Sequence, residues 1–175
     1  GNFKIELELF ADVGLIGMPN AGKSSLLNSI TNANAKIGNY QFTTLDPNLG
    51  DFYGYTIADI PGLIEGASEG KGLGTKFLKH TKRTKMLAHL VSLENENPMK
   101  AYKQIRNELG SYDKTLLDKY EVVILTKTDV MNDAKKIEKI KKDFEKNGLT
   151  VFTLSLFDDE SVKNLMDGLV KMLRG

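Results

Sequence analysis

Cysteine and tryptophan are absent from the 175 residues, and proline occurs only four times. Without cysteine the chain forms no disulfide and no thiolate metal site, and a reducing, cytoplasmic setting is the expectation that goes with this. No apolar run approaches the roughly 20 residues of a membrane-spanning helix, so no membrane partner is expected. Lys+Arg of 24 against Asp+Glu of 23 leaves a formal net charge of +1, and the whole-molecule field therefore argues neither for nor against a nucleic-acid partner. Long linkers, internal repeats and low-complexity tracts are also missing. What is present is 41% hydrophobic content, which suits one compact, monomeric domain. The first residue is Gly1 and not Met, which reads as a piece cut from something longer.

Short apolar runs alternate with helical patterns along the chain. Phe3 to Leu9 alternates apolar and polar as a half-exposed strand does, and Val13 to Ile16 reads as a buried strand. Further strand-length runs occur at Tyr55–Ala58, Leu87–Val91, Val122–Leu125 and Val151–Leu154. Between them, helices are expected over Ser25–Ile30, Thr75–Lys85, Pro98–Leu109, Asp133–Asn147 closed by Gly148, and Glu160–Leu173. Strands separated by such helices imply an α/β fold of three layers, a mostly parallel sheet with helices on both faces. Ligands of such sheets sit at the carboxyl ends of the strands. The lysine-rich run Lys135 to Lys146 reads most simply as a solvated helix face.

The loop after the first buried run carries the most specific pattern. Gly17-Met18-Pro19-Asn20-Ala21-Gly22-Lys23-Ser24 matches GxxxxGK[ST], between a strand and a helix beginning near Ser25. In that setting the glycines turn backbone N–H groups around an anion, the helix N-terminus adds partial positive charge, and Lys23 reaches the outer phosphates. Ser24 is then placed to ligate Mg²⁺. The spacing defines a P-loop.

Three more motifs fall at strand ends. Asp59-Ile60-Pro61-Gly62 fits DxxG, in which the carboxylate holds Mg²⁺ through water and the glycine N–H meets the γ-phosphate. Thr126-Lys127-Thr128-Asp129 resembles [NT]KxD. A carboxylate at Asp129 accepts two hydrogen bonds from guanine's N1–H and exocyclic amine, a donor pair that adenine lacks, and Lys127 lays its stem across the base. The bland reading of Asp129 is a polar residue near a helix cap. Ser155-Leu156-Phe157 stands where an SAx element would offer backbone N–H groups to the guanine oxygen, with Leu156 in place of the usual alanine. Between P-loop and DxxG, the segment Tyr40 to Gly50 has the position of a switch loop, in which Phe42 precedes Thr43 and Thr44, either of which can supply the hydroxyl that closes over Mg²⁺.

The combination ADVGLIGMPNAGKSSLLNSI, FTTLDPNLG, IADIPGLIEGASEGKGLGTKFLKH and the later Arg83, Thr84, Leu87, His89, Leu90, Val91 pattern resembles the G domain of the Obg GTPases. The resemblance is close over residues 11 to 93 and confined to motifs beyond. It implies a P-loop GTPase fold, a switch that binds GTP and GDP and hydrolyses GTP, and a ribosomal subunit or RNA–protein complex as partner. It also implies Thr44 as the Mg²⁺ threonine, with Lys23, Thr44 and Gly62 at the catalytic end. Residues 1–10 then form a junction from an N-terminal domain, and 11–175 the GTPase domain. Thr126 stands where the family has Asn, Asp46 where it has an apolar residue, Ser92 where it has an aspartate, and the turn Asp51–Gly54 is shorter than the family's hairpin.

Leu63, directly after DxxG, replaces the glutamine that orients the attacking water in Ras-like enzymes, so unaided hydrolysis should be slow. Asn20 matches an asparagine that holds K⁺ beside the phosphates in related GTPases, against a plain loop-shaping role. Gly66 to Gly74 has four glycines in nine residues, as befits a segment ordered by ligand contacts. Two other classes stand beside the GTPase reading: a guanine-nucleotide sensor with negligible hydrolysis, and an adenine-nucleotide P-loop enzyme. His80 and His89 read as solvated surface and satisfied core, respectively.

Overall fold

The computed structural model describes residues 11–31, 36–37, 48–60 and 81–175. Seven strands share one sheet: β1 (Ala11–Gly17), β2 (Lys36–Ile37), β3 (Asn48–Phe52), β4 (Tyr55–Asp59), β5 (Thr84–Ser92), β6 (Glu121–Thr126) and β7 (Thr150–Leu154). Their order is β2-β3-β4-β1-β5-β6-β7. β4, β1, β5, β6 and β7 run parallel, while β2 and β3 join antiparallel at one edge. The helices are α1 (Lys23–Ile30), α2 (Pro98–Tyr112), α3 (Thr128–Met131), α4 (Ala134–Glu145) and α5 (Asp159–Arg174), with a 3-10 turn at Lys114–Asp118.

Alternation along the strands divides the core into two layers. Val13 and Leu15 of β1, Met86, Ala88 and Leu90 of β5, and Val122 and Ile124 of β6 pack with Leu26, Leu27 and Ile30 of α1 and Leu165, Leu169 and Leu173 of α5. The residues between them point the other way. Ile16 and Leu87 meet Ile105 and Leu109 of α2, and Val91, Val123 and Leu125 meet Ala101 and Tyr102 of α2 and Phe144 of α4. The sheet is therefore covered on both faces, as its near-continuous apolar strands require.

Local chemistry sets the helix starts. Asn97 caps α2 by accepting from the Lys100 N–H at 3.0 Å, with Pro98 in the first turn, and Asp133 caps α4 by accepting from Lys136 N–H at 3.1 Å. In α5, Asp159 and Glu160 lie in the first turn and Lys171 and Arg174 in the last, complementing the helix dipole. Along α4, Lys135, Lys136, Lys139, Lys142 and Lys146 are exposed, as a solvated face should be. What fixes α4 is Phe144, fully buried: burying such a side chain stabilises by about 1.5–3 kcal/mol, several times an exposed pair's 0.2–0.5 kcal/mol.

Several boundaries differ from expectation. Asn48–Gly50, read as the end of a loop, and Asp51–Phe52, read as turn, belong to β3, because pairing of Asn48 with Asp59 through Phe52 with Tyr55 zips them onto β4. Only Tyr53-Gly54 turns, with φ of 51° and 88°, the positive values a two-residue hairpin demands. The helix placed over Thr75–Lys85 overruns, since Thr84 and Lys85 open β5 beside Ala11 of β1. The strand expected over Phe3–Leu9 lies outside the described residues.

One polar cluster interrupts the α2 side of the core. His89, 1% exposed, contacts the Glu121 carboxylate through Nδ1 at 2.9 Å, and Tyr102 Oη and Arg106 Nη1 each donate to the other Glu121 oxygen at 3.1 Å. His89 is thus a satisfied core residue, as read from its apolar strand. Burial pushes its imidazole below the ordinary value of 6.5, aided by the charges of Arg106 and Lys23, and outweighs the opposing pull of Glu121. Between the lowered folded value and 6.5 the unfolded chain binds more protons, so stability falls as the solution is acidified through that window. Urea midpoints measured from pH 7.5 downward should fall below about pH 6.5. His89→Gln, which keeps a donor but cannot titrate, should flatten that decline; a decline of equal steepness in the variant contradicts the assignment.

Candidate functional site

The carboxyl ends of β1, β4, β5, β6 and β7 lie side by side, and the segments leaving β1, β6 and β7 line one cavity. At the end of β1 the chain cannot carry a side chain on Gly17: an added Cβ would sit 2.6 Å from the Leu90 carbonyl oxygen of β5. At Gly22, φ is 96° and ψ 23°, a left-handed turn that favours glycine. Between them Ala21 N–H donates to Met18 O at 3.0 Å, closing the loop, and Leu26 N–H donates to Gly22 O at 2.9 Å, starting α1. The turn expected at the start of Gly17–Ser24 is therefore present, with Pro19 and Asn20 exposed at its outer bend, and α1 takes over at Lys23, two residues before the Ser25 expected from sequence.

Lys23 is 8% exposed, and its ammonium donates to Gly17 O at 3.3 Å and Met18 O at 3.2 Å. Burial pushes it below the ordinary lysine value, against the opposing charge of Asp59. Ser24 Oγ donates to Asp59 Oδ2 at 2.7 Å, joining the start of α1 to the end of β4. The second carboxylate oxygen, Asp59 Oδ1, is buried with no hydrogen-bond partner among the described residues. A buried, unsatisfied acidic oxygen beside a serine hydroxyl is a donor set that fits a hard cation. Ile60 is buried in the core, its N–H donating to Leu15 O at 3.1 Å. Phe42, Thr43, Thr44, Pro61, Gly62, Leu63, the Gly66–Gly74 segment and His80 lie outside the described residues.

The base-sized part of the site is a cavity of about 350 Å³. Ala21, Gly22 and Ser25 form its P-loop wall, Thr126, Lys127 and Asp129 a second, and Leu156 and Phe157 a third. The three segments read from sequence as one site are thus brought together. Thr126 Oγ1 donates to Ala21 O at 2.9 Å, tying β6 to the P-loop across 105 residues. Lys127 takes the left-handed conformation, φ 62° and ψ 43°, and its ammonium donates to Asn20 O at 2.9 Å and Glu94 Oε1 at 2.7 Å. Asp129 is exposed in the first turn of α3, so the helix-start reading and the ligand-facing reading describe the same position. Ser155 is buried: its N–H donates to Ser161 Oγ at 3.1 Å, and its Oγ accepts from Phe157 N–H at 3.2 Å. Leu156 packs against the core while lining the cavity, and Phe157 projects from the rim, 88% exposed.

Sequence reasoning passed over Leu26, Val130 and Leu154, which complete the apolar lining, and Glu94. The first three are ordinary apolar residues of a helix and strand, whose one signal is their nearness to the motifs. Glu94 belongs to no motif.

A phosphate loop joined to a base-sized cavity at the carboxyl edge of a doubly covered parallel sheet defines a P-loop nucleotide-binding protein. Residues 12–128 match the family described as 50S ribosome-binding GTPase, and the chain belongs to that family. It is 52% identical over 166 residues to the GTPase Obg of Pelagibacter ubique, covering 92% of this chain and 50% of that protein. To the GTPase Obg of Lachnoclostridium phytofermentans it is 49% identical over 176 residues, covering 94% and 41%. The resemblance to Obg GTPases read from the motifs is borne out, and the chain spans about half the length of the curated relatives it matches. Among solved structures it is similar to a mutant S. thermophilus NFeoB bound to GDP, at TM-score 0.66 and 20% identity over 90% of this chain and 61% of that one. The G domain of the T. maritima FeoB iron transporter matches at TM-score 0.61 and 24% identity, over 91% and 96%. At such identities these two share the fold. Among the described residues no helix is long and apolar enough to cross a membrane.

Thr126→Val keeps the shape of the side chain and removes its bond to the P-loop. We expect a stability loss of about 1 kcal/mol in urea unfolding, with nucleotide affinity by calorimetry several-fold weaker. Unchanged affinity would mean that the tie between β6 and the P-loop does not organise the cavity.

Proposed function

We propose that this chain is the guanine-nucleotide-binding, GTP-hydrolysing unit of a longer, ribosome-associated protein. The observation that carries the reading is the cavity, which Ala21, Gly22 and Ser25 line together with Thr126, Lys127 and Asp129 and with Leu156 and Phe157. Backbone N–H groups between Gly17 and Ser25, apart from Pro19, which has none, and Ala21, engaged by Met18 O, cradle the phosphates, and Lys23 leaves its loop carbonyls for the outer phosphate oxygens. The Lys127 stem lies on one face of the base, the Asp129 carboxylate accepts from guanine N1–H and the exocyclic amine, and the backbone at Ser155–Phe157 offers N–H to the guanine oxygen through Leu156, the Ser155 and Phe157 N–H groups being engaged by Ser161 Oγ and Ser155 Oγ.

Ser24 and Thr44 would ligate Mg²⁺ with Asp59 held through water, a role supported by the unpartnered buried Asp59 oxygen. When bound, the ion would neutralise negative charge on the outer phosphates. The Gly62 N–H meets the γ-phosphate, and Phe42 and Thr43 flank the Mg²⁺ threonine. Leu63 can neither donate nor accept a hydrogen bond, so water is not oriented at that position and intrinsic turnover is slow. Asn20, exposed at the loop's outer bend, is positioned by sequence to hold K⁺. A ribosomal subunit as partner is supported by the family's description as 50S ribosome-binding GTPase.

The base assignment is tested at Asp129. Asp129→Asn should weaken GTP and GDP binding and favour xanthine nucleotides, whose C2 oxygen accepts where guanine's amine donates; an unaltered GTP preference in competition binding sinks it. Turnover supplies the second test. The isolated chain should hydrolyse GTP slowly, leaving room for activation on the order of 10³ to 10⁵, and K⁺ should outperform Na⁺ in a manner lost in Asn20→Ala. Equal rates in both salts remove K⁺ from the scheme, and fast turnover in Na⁺ alone contradicts the slow switch.

A further inference from the structure

Glu94 lies outside every motif, in the loop that follows β5, yet it makes the shortest contact to the side chain of Lys127. We infer that Glu94 is a positioning residue for the base end of the site: its carboxylate clasps the Lys127 ammonium, holds the lysine stem in place along the cavity, and thereby lengthens the residence of a guanine nucleotide. The inference rests on the reading of the cavity as the guanine site.

The clasp has three points. Lys127 Nζ donates to Glu94 Oε1 at 2.7 Å and to Asn20 O at 2.9 Å, so one ammonium joins the β5 loop, the P-loop and the start of α3. The Glu94 loop is itself fastened. Leu93 N–H donates to Thr126 O at 2.9 Å, one residue before Lys127. Glu94 N–H donates to Ser92 Oγ at 3.0 Å, and Asn95 Nδ2 donates to Ser92 O at 2.8 Å. Ser92, where an aspartate was expected from the Obg pattern, thus serves as the hinge post of a turn that delivers the acid two residues later.

Two further observations bear on the role. Lys127 holds a left-handed backbone conformation at φ 62°, which a non-glycine residue keeps only where its surroundings over-determine it. The hydrogen bond from Lys127, followed by that residue's charge, holds the Glu94 carboxyl below its ordinary value, while the negative charge of Asp129 works weakly the other way. Glu94 is accordingly ionised throughout the neutral range. Lysine stems have much rotamer freedom to lose, and a stem already clasped loses less when a base arrives. Such preorganisation acts mostly on the rate of release. The two side chains are 33% and 48% exposed, so the effect is modest, about two- to five-fold in release rate.

The test is displacement of fluorescent-labelled GDP by excess GDP, followed in stopped flow. Glu94→Gln should release about two- to five-fold faster at low salt, and Glu94→Asp should keep part of the slow release. Added salt should speed the unsubstituted chain more than Glu94→Gln, converging their rates. On a Lys127→Met background, Glu94→Gln should add nothing, and in the single variant the urea midpoint and the preference for guanine over xanthine should stay put. Release at the unsubstituted rate in Glu94→Gln, or equal acceleration with and without Lys127, overturns the clasp. Asp129→Asn separates the two readings. If it shifts the preference to xanthine while Glu94→Gln is silent, the clasp alone fails; if it shifts nothing, the guanine site fails and the clasp with it.

Discussion

Parallel pairing of β1 with β4 on one side and β5 on the other is the constraint on which everything else in this protein rests. It sets Val13 against Ile57 and Leu15 against Asp59, while Ile16 faces His89 and Gly17 faces Leu90. Asp59 therefore ends its strand level with Leu15, and Ser24 of α1 reaches it at 2.7 Å. A shift of one residue would turn every side chain of β1 to the opposite layer, putting Val13 and Leu15 against α2 and opening both cores. The same pairing runs outward through β6 and β7, so five strand ends meet on one edge. The site is a consequence of this register.

Among the described residues, charged side chains are buried at two ends of the sheet, and the two are handled differently. At the base of the sheet Glu121 is surrounded by partners: His89, Tyr102 and Arg106 all contact it. Nothing is left over, and the cluster fixes how α2 lies on β5 and β6. At the opposite edge Asp59 is only half satisfied, since Ser24 meets one oxygen and the other has no partner among the described residues. Lys23, close enough for its charge to be felt there, donates to loop carbonyls. A fully paired cluster is a structural fixture, whereas an unsatisfied oxygen near an ammonium held by loop carbonyls alone marks a place suited to an arriving group.

Most of the frame was legible in the amino-acid order because buried strands of a parallel sheet are short apolar runs, and β1, β6 and β7 begin and end within two residues of those runs. The P-loop and the Thr126–Asp129 motif were legible for another reason: their chemistry needs particular residues at fixed spacing. β3 was not. Its residues Asn48, Gly50 and Asp51 have poor intrinsic strand preference, and they extend only because β4 supplies a hydrogen-bonding edge and Tyr53-Gly54 closes the hairpin. The end of the helix before β5 was overrun because Thr84 and Lys85 carry no local stop signal, their conformation being dictated by Ala11 across the sheet. Glu94 was invisible in the same sense. An acidic residue in a loop has no distinguishing neighbours, and its contact lies 33 residues away.

The base end of the cavity is held largely by bonds that end on backbone carbonyls of the P-loop. Thr126 donates to Ala21 O and Lys127 to Asn20 O, so neighbouring residues of the guanine motif grip neighbouring residues of the phosphate loop. This has a consequence for coupling. A ligand that draws Lys23 from Gly17 O and Met18 O alters the same short loop whose next carbonyls anchor the base pocket, and a ligand that fills the base pocket stiffens the loop from the other side. On the proposed reading, each half of a nucleotide would lower the ordering cost of binding the other, a positive coupling carried by loop order without any large movement. The unsatisfied Asp59 oxygen extends the argument to a cation. A buried polar atom without a partner costs about 1–3 kcal/mol, more when charged, and among the described residues nothing offsets that cost, which a cation or its water would relieve. On the reading proposed above, base, phosphates and metal would not be three independent sites on this edge of the sheet; they would share Ala21 to Ser24, and occupancy of one would shift the affinity for the others.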